Sequence, residues 1–389
     1  MRICLATDTF LPEINGVTTV LAKQREILLE RGYDVLVLAP RYHLDGNEDP
    51  LVVRLASIPC PGYGQVHLSW PWGRGLADII DNFDPDLVHA VTEGPLGYYG
   101  RRHARRRKLP LVTSFHTDFP RYARKYLGEW AVKPTKRWLR HFHSAAHITM
   151  TPSHRTRLEL SELGVPFPVL WGRGVDTTWF HPGRRSVRRR EARGGNDRVH
   201  VLHVGRLAAE KDVETLIIAF RSAQQQLGET ARFCVAGDGP KGHLVREALP
   251  FARHHGFLDR GDLADLYADA DLFVFPSPTE TCGLVVLEAM ASRLPVIAAR
   301  AGGVPENVLD GYTGILNSPG DADQFVTGIV RLVKDGAQRG TMGEAARAFA
   351  CCRDWACEID SLEELYGSIS RTSNAVIPPI SWPTTTSVG

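Results

Sequence analysis

Short apolar runs alternate along the chain with longer stretches in which apolar residues recur every three or four positions. The runs predict strands at Arg2–Thr7, Tyr33–Ala39, Leu51–Leu55, Leu87–Ala90, Leu111–Phe115 and His147–Pro152. A second series follows at Val199–Val204, Arg232–Ala236, Leu272–Pro276, Pro295–Ala299 and Gly314–Leu316. Between them, helical spacing predicts Thr18–Arg31, Trp72–Asn82, Lys133–Ser144, Val213–Gln226 and Gly283–Ser292. Strand and helix alternating in two successive series predict an α/β protein with two parallel sheets, each covered by helices on both faces.

The two series are separated by turn chemistry at His181-Pro182-Gly183 and by a basic stretch almost free of apolar residues. This divides the chain into a first domain at 1–183, a basic linker at 184–198 and a second domain at 199–350. Arg184, Arg185, Arg188, Arg189 and Arg190 are expected to face solvent, as charge runs usually do. The Ser-, Thr- and Pro-rich tail, 371–389, is expected to be disordered. A length of 389 residues, 43% of them hydrophobic, supports two cores. The formal net charge of +2 conceals an excess of +10 in residues 1–190 and of −8 in the remainder. One domain is thus suited to an anionic partner. Seven cysteines, an odd number without a Cys-x-x-Cys pair, argue against a disulfide scaffold or zinc ribbon and for a reducing compartment. The first residues read as a strand rather than an export signal, and no apolar run is long enough to span a bilayer. A cytoplasmic location is expected.

Open parallel sheets bind ligands beyond the carboxyl ends of their strands, which directs attention to five loops. Gly16 stands just before a helix start, where outward N–H groups favour a phosphate, although an ordinary helix start has the same pattern. His116 follows an apolar strand beside Asp118, as either a ligand-facing or a structural histidine. Gly205, Arg206 and Lys211 put a backbone approach and two cations in one loop, suited to a diphosphate, although two exposed surface cations would have the same pattern. Gly237-Asp238-Gly239 reads as a glycine turn after a strand. The fifth loop is the most informative. Glu280 precedes a helix, Glu288 is placed about two turns into it on loosely the same side, and the N–H groups of Gly283 and Leu284 open toward the same space. Carboxylates beside an N–H-lined pocket suit the hydroxyls of a nucleotide-sugar. The Asp84-Pro85-Asp86 and Asp269-Ala270-Asp271 patterns directly precede strands and are assigned to turns, so no metal is expected.

Taken in order, these motifs, together with Pro295-Val296-Ile297-Ala298 and Gly302-Gly303-Val304-Pro305-Glu306, resemble glycosyltransferase family 4 over roughly residues 1–365. The resemblance implies the GT-B architecture, two Rossmann-like domains facing across a deep cleft, with a final helix at 351–370 crossing back to the first domain. It implies a retaining, nucleotide-sugar-dependent transferase without metal or other cofactor. Arg206 and Lys211 would hold the donor diphosphate, Glu288 the ribose and Glu280 the sugar hydroxyls, beside the N–H groups of Gly283 and Leu284. Gly16 and Gly205 would approach the diphosphate, His116 the anomeric centre and Leu258 the base. Cys282 stands where many relatives have an aromatic residue. The stretches His116–Tyr122 and Trp171-Gly172-Arg173-Gly174-Val175-Asp176 resemble GDP-mannose-dependent alpha-mannosyltransferases and sulfoquinovosyl-diacylglycerol synthases.

The segment from Arg121 to Arg140 mixes cations with Tyr122, Tyr126, Trp130 and Trp138, a composition that suits an anionic membrane interface. A solvated helix with core aromatics is the alternative reading. Arg101, Arg102 and Arg105–Lys108 add a second basic cluster. The expectation is therefore transfer of a sugar, mannose from GDP-mannose, onto a lipid or glycolipid at the inner membrane face. A UDP-sugar transferase of the sulfoquinovosyl or glucosyl type, and an epimerase on the same fold, are the alternatives. No nucleic-acid-reading motif is present.

Overall fold

A computed structural model describes residues 1–42, 49–60, 63–71 and 75–371. The predicted tail lies almost wholly outside them. The first half runs β1 (Arg2–Ala6), α1 (Gly16–Glu30), β2 (Asp34–Pro40), β3 (Val52–Leu55), a hairpin of β4 (Ser57–Cys60) and β5 (Tyr63–Ser69), α2 (Leu76–Phe83), β6 (Leu87–Ala90) and α3 (Pro95–Arg107). It continues with β7 (Leu111–Ser114), α4 (Phe119–Tyr126), α5 (Val132–His143), β8 (Ile148–Thr151), α6 (His154–Glu162) and β9 (Pro168–Leu170). The second half runs α7 (Val187–Arg193), β10 (Val199–Val204), α8 (Val213–Leu227), β11 (Ala231–Ala236), α9 (Gly242–Ala248), β12 (Arg253–Gly256), α10 (Arg260–Asp269) and β13 (Leu272–Phe275). Then come α11 (Leu284–Ala291), β14 (Val296–Ala299), β15 (Gly314–Asn317), α12 (Ala322–Lys334), α13 (Gly336–Cys351) and α14 (Trp355–Arg371).

Two all-parallel sheets result. The first has the order β3-β2-β1-β6-β7-β8-β9, the second β12-β11-β10-β13-β14-β15. Their central strands are apolar throughout because both faces are covered. In each sheet the strand order reverses beside one strand, β1 and β10 respectively, so the loops after these strands open into a crevice. This is the GT-B arrangement of two Rossmann-like sheets. The chain then returns: Trp355, Ile359, Leu362, Leu365 and Tyr366 of α14 join the core beneath β1 and β2. Each such buried side chain contributes about 1.5–3 kcal/mol. The Tyr366 hydroxyl accepts from Gln24 at 2.9 Å and meets His89 Nδ1 at 2.8 Å, tying α14 to α1 and β6.

Three expectations are corrected. The 184–198 stretch is not a solvated linker: it holds α7, and Arg190 is 3% exposed. Its arginines meet carboxylates from the α10–β13 turn, with Arg189 and Arg193 on Asp269 and Arg185 and Arg190 on Asp271. A charge run is solvated only where no opposite charge is folded against it. Arg101 likewise leaves the surface cluster, because it is buried and donates to the carbonyl oxygens of His141 and Phe142. The predicted Trp72–Asn82 helix begins at Leu76, with residues 72–74 outside the described ones. Asp269→Ala should lower stability by about 1–3 kcal/mol, since it strips the acceptor from two arginines and the Ser186 N–H. Urea unfolding would register this as a lower midpoint at constant slope. An unchanged midpoint would show that the arginines contribute nothing there.

Candidate active site

The site is built at the two points of strand-order reversal. α1 begins at Gly16 itself rather than after it, because Asn15 caps the helix by accepting from the N–H groups of Val17 and Thr18, both at 3.0 Å. Opposite, α11 begins at Leu284 with Gly283 as its cap. Glu288 therefore lies one turn into this helix, not two. A Cβ built on Gly16 would stand 3.8 Å from Leu284 Cδ1, so the first turns of α1 and α11 meet across the cleft. Their positive dipole ends bracket one space.

The cations come from the loop after β10. Arg206 follows Gly205 and is half-buried, and Lys211 closes a short turn before α8. Lys211 Nζ stands 2.5 Å from Glu280 Oε1, and Ser277 Oγ donates to the same oxygen at 2.7 Å. Glu288 receives the Tyr267 hydroxyl at 3.2 Å, and burial pushes its carboxyl up to about 7. Leu258, after β12, packs against the cluster that contains Tyr267 and Val286. The structure thus brings Lys211 and Glu280 into contact and Gly16 against Leu284. It places Gly205, Arg206, Gly283 and Glu288 on the adjoining loops and helix, and Leu258 against the core cluster that contains Tyr267.

His116 belongs to the other wall. Its carbonyl oxygen accepts from Thr281 Oγ1 at 2.9 Å, which joins it to the Glu280 loop. Its ring Nδ1 faces an Arg173 nitrogen at 3.2 Å. Asp118, its neighbour in sequence, caps α4 and pairs with Arg121 at 2.8 Å instead. Further ties cross the cleft. Arg121 donates to Pro278 O at 2.9 Å, the Tyr126 hydroxyl donates to the Glu210 carboxylate, and Glu306 takes the N–H groups of His154 and Arg155 at 2.8 and 2.9 Å. The last contact places a carboxylate on the positive end of α6.

Residues 14–179 match the family model described as Glycosyltransferase Family 4, and residues 198–335 match that of glycosyl transferases group 1. Over 380 residues the chain is 35% identical to a GDP-mannose-dependent alpha-mannosyltransferase of Mycolicibacterium smegmatis, an alignment covering 95% of this chain and 98% of that protein. The chain belongs to glycosyltransferase family 4. It is also 36% identical over 347 residues to the sulfoquinovosyl transferase SQD2 of Arabidopsis thaliana, covering 85% of this chain and 67% of that one. Among solved structures, the sucrose-phosphate synthase of Thermosynechococcus elongatus shares the fold with a TM-score of 0.78 at 20% identity, covering 95% of this chain and 99% of that one.

This family 4 enzyme is a nucleotide-sugar-dependent glycosyltransferase, and its cleft holds functional candidates that single-residue reading passes over. Arg173 and Glu306 stand within quoted motifs, but their partners, His116 and the start of α6, lie 57 and about 150 positions away. Tyr267 carries no local signal at all. The half-buried Glu288 carboxyl loses its charge as pH falls through about 7, and an ionised carboxylate is the better acceptor for paired hydroxyls. Nucleoside diphosphate affinity is expected to weaken about tenfold from pH 8 to pH 6. Titration calorimetry on Glu288→Gln should find this slope flattened. A flat wild-type profile would show that the Glu288 charge takes no part in nucleotide binding.

Proposed function

We propose that the enzyme transfers mannose, with retention of configuration, from GDP-mannose to a lipid or glycolipid acceptor at a membrane surface. The observation that carries this reading is the end-to-end similarity to a mannosyltransferase that is GDP-mannose-dependent by name, 98% of whose length is matched. The cleft chemistry agrees with it. Arg206 and Lys211 are assigned to the diphosphate, with the N-terminus of α1 at Gly16 and the backbone at Gly205 approaching from either side. Glu280, with the N–H groups of Gly283 and Leu284, is assigned to the sugar hydroxyls. Glu288 takes the ribose, and the backbone near Leu258 takes the base. His116 lies beside the anomeric centre.

No residue is assigned as a covalent nucleophile. The acceptor hydroxyl attacks on the face that the diphosphate leaves, and the departing phosphate oxygen takes the hydroxyl's proton. The catalytic contribution is then positioning together with stabilisation of the departing charge by Arg206 and Lys211. For Lys211 to reach a phosphate it exchanges its bond to Glu280, which frees that carboxylate for sugar hydroxyls in the same movement.

A UDP-linked donor, sulfoquinovosyl or glucosyl, is the second reading, supported by the 36% identity to a sulfoquinovosyl transferase. Calorimetric titration with GDP and UDP in EDTA separates the two. Preference for GDP is expected, and preference for UDP would move the assignment to the second reading. Arg206→Ala, Lys211→Ala and Glu280→Ala should each lower transfer about 100-fold or more without unfolding. Wild-type rates in all three would overturn the site.

Membrane approach is assigned to α4, α5 and the turn between them. Leu127, Trp130 and Tyr126 are exposed there, and Lys133, Arg137, Trp138 and His141 line a groove of about 500 Å³. No helix among the described residues is long and apolar enough to cross a membrane. Co-sedimentation with anionic vesicles that weakens with salt is expected. Sedimentation indifferent to both anionic lipid and salt would count against the surface.

A further inference from the structure

Arg173 lies in the stretch Trp171-Gly172-Arg173-Gly174, which leaves β9 and passes against α14. The Trp171 indole is buried and donates to Glu358 O at 2.8 Å. A Cβ at Gly172 would fall 2.6 Å from the Glu358 carboxylate, and one at Gly174 would fall 2.6 Å from the Trp355 backbone. Gly174 must be glycine for α14 to approach, whereas a side chain at 172 would turn the Glu358 carboxylate aside. The side chain between them is 3% exposed and stacks 4.3 Å from the centre of the Trp171 ring. One terminal nitrogen donates to the carbonyl oxygens of Trp171 and Gly172, at 2.9 and 2.8 Å. The other faces His116 Nδ1 at 3.2 Å.

A guanidinium has donors and no lone pair. The His116 nitrogen that faces it is therefore the unprotonated one, and the ring proton sits on Nε2. Nε2 is buried and has no hydrogen-bond partner among the described residues. The His116 backbone is pinned by Thr281, next to Glu280. The ring is thus held on its Nδ1 side and through its backbone, with one buried donor unused.

We propose that Arg173 is a positioning residue that fixes His116 as a neutral imidazole with its proton on Nε2, so that His116 offers the bound sugar a hydrogen-bond donor and acts neither as a base nor as a cation. The proposal rests on the donor-site reading above. The surroundings favour the neutral ring. Burial, then Arg173, then His89 from β6 and His143 from α5 hold its proton affinity well below the ordinary histidine range. His89 is engaged by Tyr366 and Ser114, and His143 by Thr113 and Glu93. Glu358 and the Cys282 thiol stand on the Arg173 side. A ring without basicity also leaves the acceptor's proton to the departing phosphate.

Histidine-labelled protein and ¹⁵N–¹H NMR read the tautomer directly, with His116→Gln identifying the signal. Wild type should show the neutral Nε2–H form from pH 5 to 8. Arg173→Met should release the ring to a mixture of tautomers that titrates. Its kcat should fall about 10- to 100-fold and acquire an acidic limb, while affinity for GDP or UDP stays within about twofold. Arg173→Lys should restore part of the tautomer bias. An Nδ1–H tautomer or a cationic ring in wild type at pH 7 would overturn the proposal. So would a folded Arg173→Met that keeps both the tautomer and kcat. Should the Met variant fail to fold, the wild-type spectrum and the Lys variant decide. Absence of nucleoside diphosphate binding would instead defeat the donor-site reading, leaving the tautomer result interpretable.

Discussion

A lysine and a glutamate that are each more than four-fifths withdrawn from water have to compensate one another. Lys211 and Glu280 do so at 2.5 Å, with side chains 17% and 14% exposed. The cleft is organised outward from this pair. It locks the loop after β10 to the loop after β13, and Ser277 donates to the same carboxylate. Thr279, one residue before Glu280, donates to Glu210 O, and Glu210 in turn accepts from Tyr126 of the opposite half. Thr281, one residue after, holds the backbone of His116. Three consecutive residues thus pass one electrostatic constraint to both walls.

Sheet topology explains why the constraint arises here. Each sheet reverses its strand order once, and at that point neighbouring loops diverge and leave a crevice. Two such crevices face one another because α14 returns to the first sheet and fixes the second half against it. The starts of α1 and α11 then converge, and their N–H groups make the space between them favourable to anions. Arg173 occupies the same junction, with α14 on one side and His116 on the other. The helix that holds the halves together and the residue that orients the ring are therefore neighbours.

Much of this was legible in the chain. Apolar runs such as Ile3–Ala6 and Leu272–Phe275 mark central parallel strands because both faces of those strands are buried. Loop residues after them could be singled out because position relative to a strand end is a sequence property. β12 carries no strand signal, since Arg253-His254-His255-Gly256 has no apolar pattern at a sheet edge, and neither does β9, since three residues carry too little periodicity. α7 reads as solvated linker in the sequence because its compensating aspartates lie about 80 residues away. Arg173 was visible within a motif, but its role depends on which nitrogen of His116 it faces, a relation that exists only once the chain is folded.

On the proposed function, the Lys211–Glu280 pair marks the place where a diphosphate is held between the two sheets. A crystal structure of the complex with GDP tests it most directly. The expected result is Lys211 turned from Glu280 to a phosphate oxygen, with Arg206 beside it and the diphosphate lying toward the start of α1 at Gly16. GDP bound elsewhere, with the Lys211–Glu280 bond unbroken, would contradict the account.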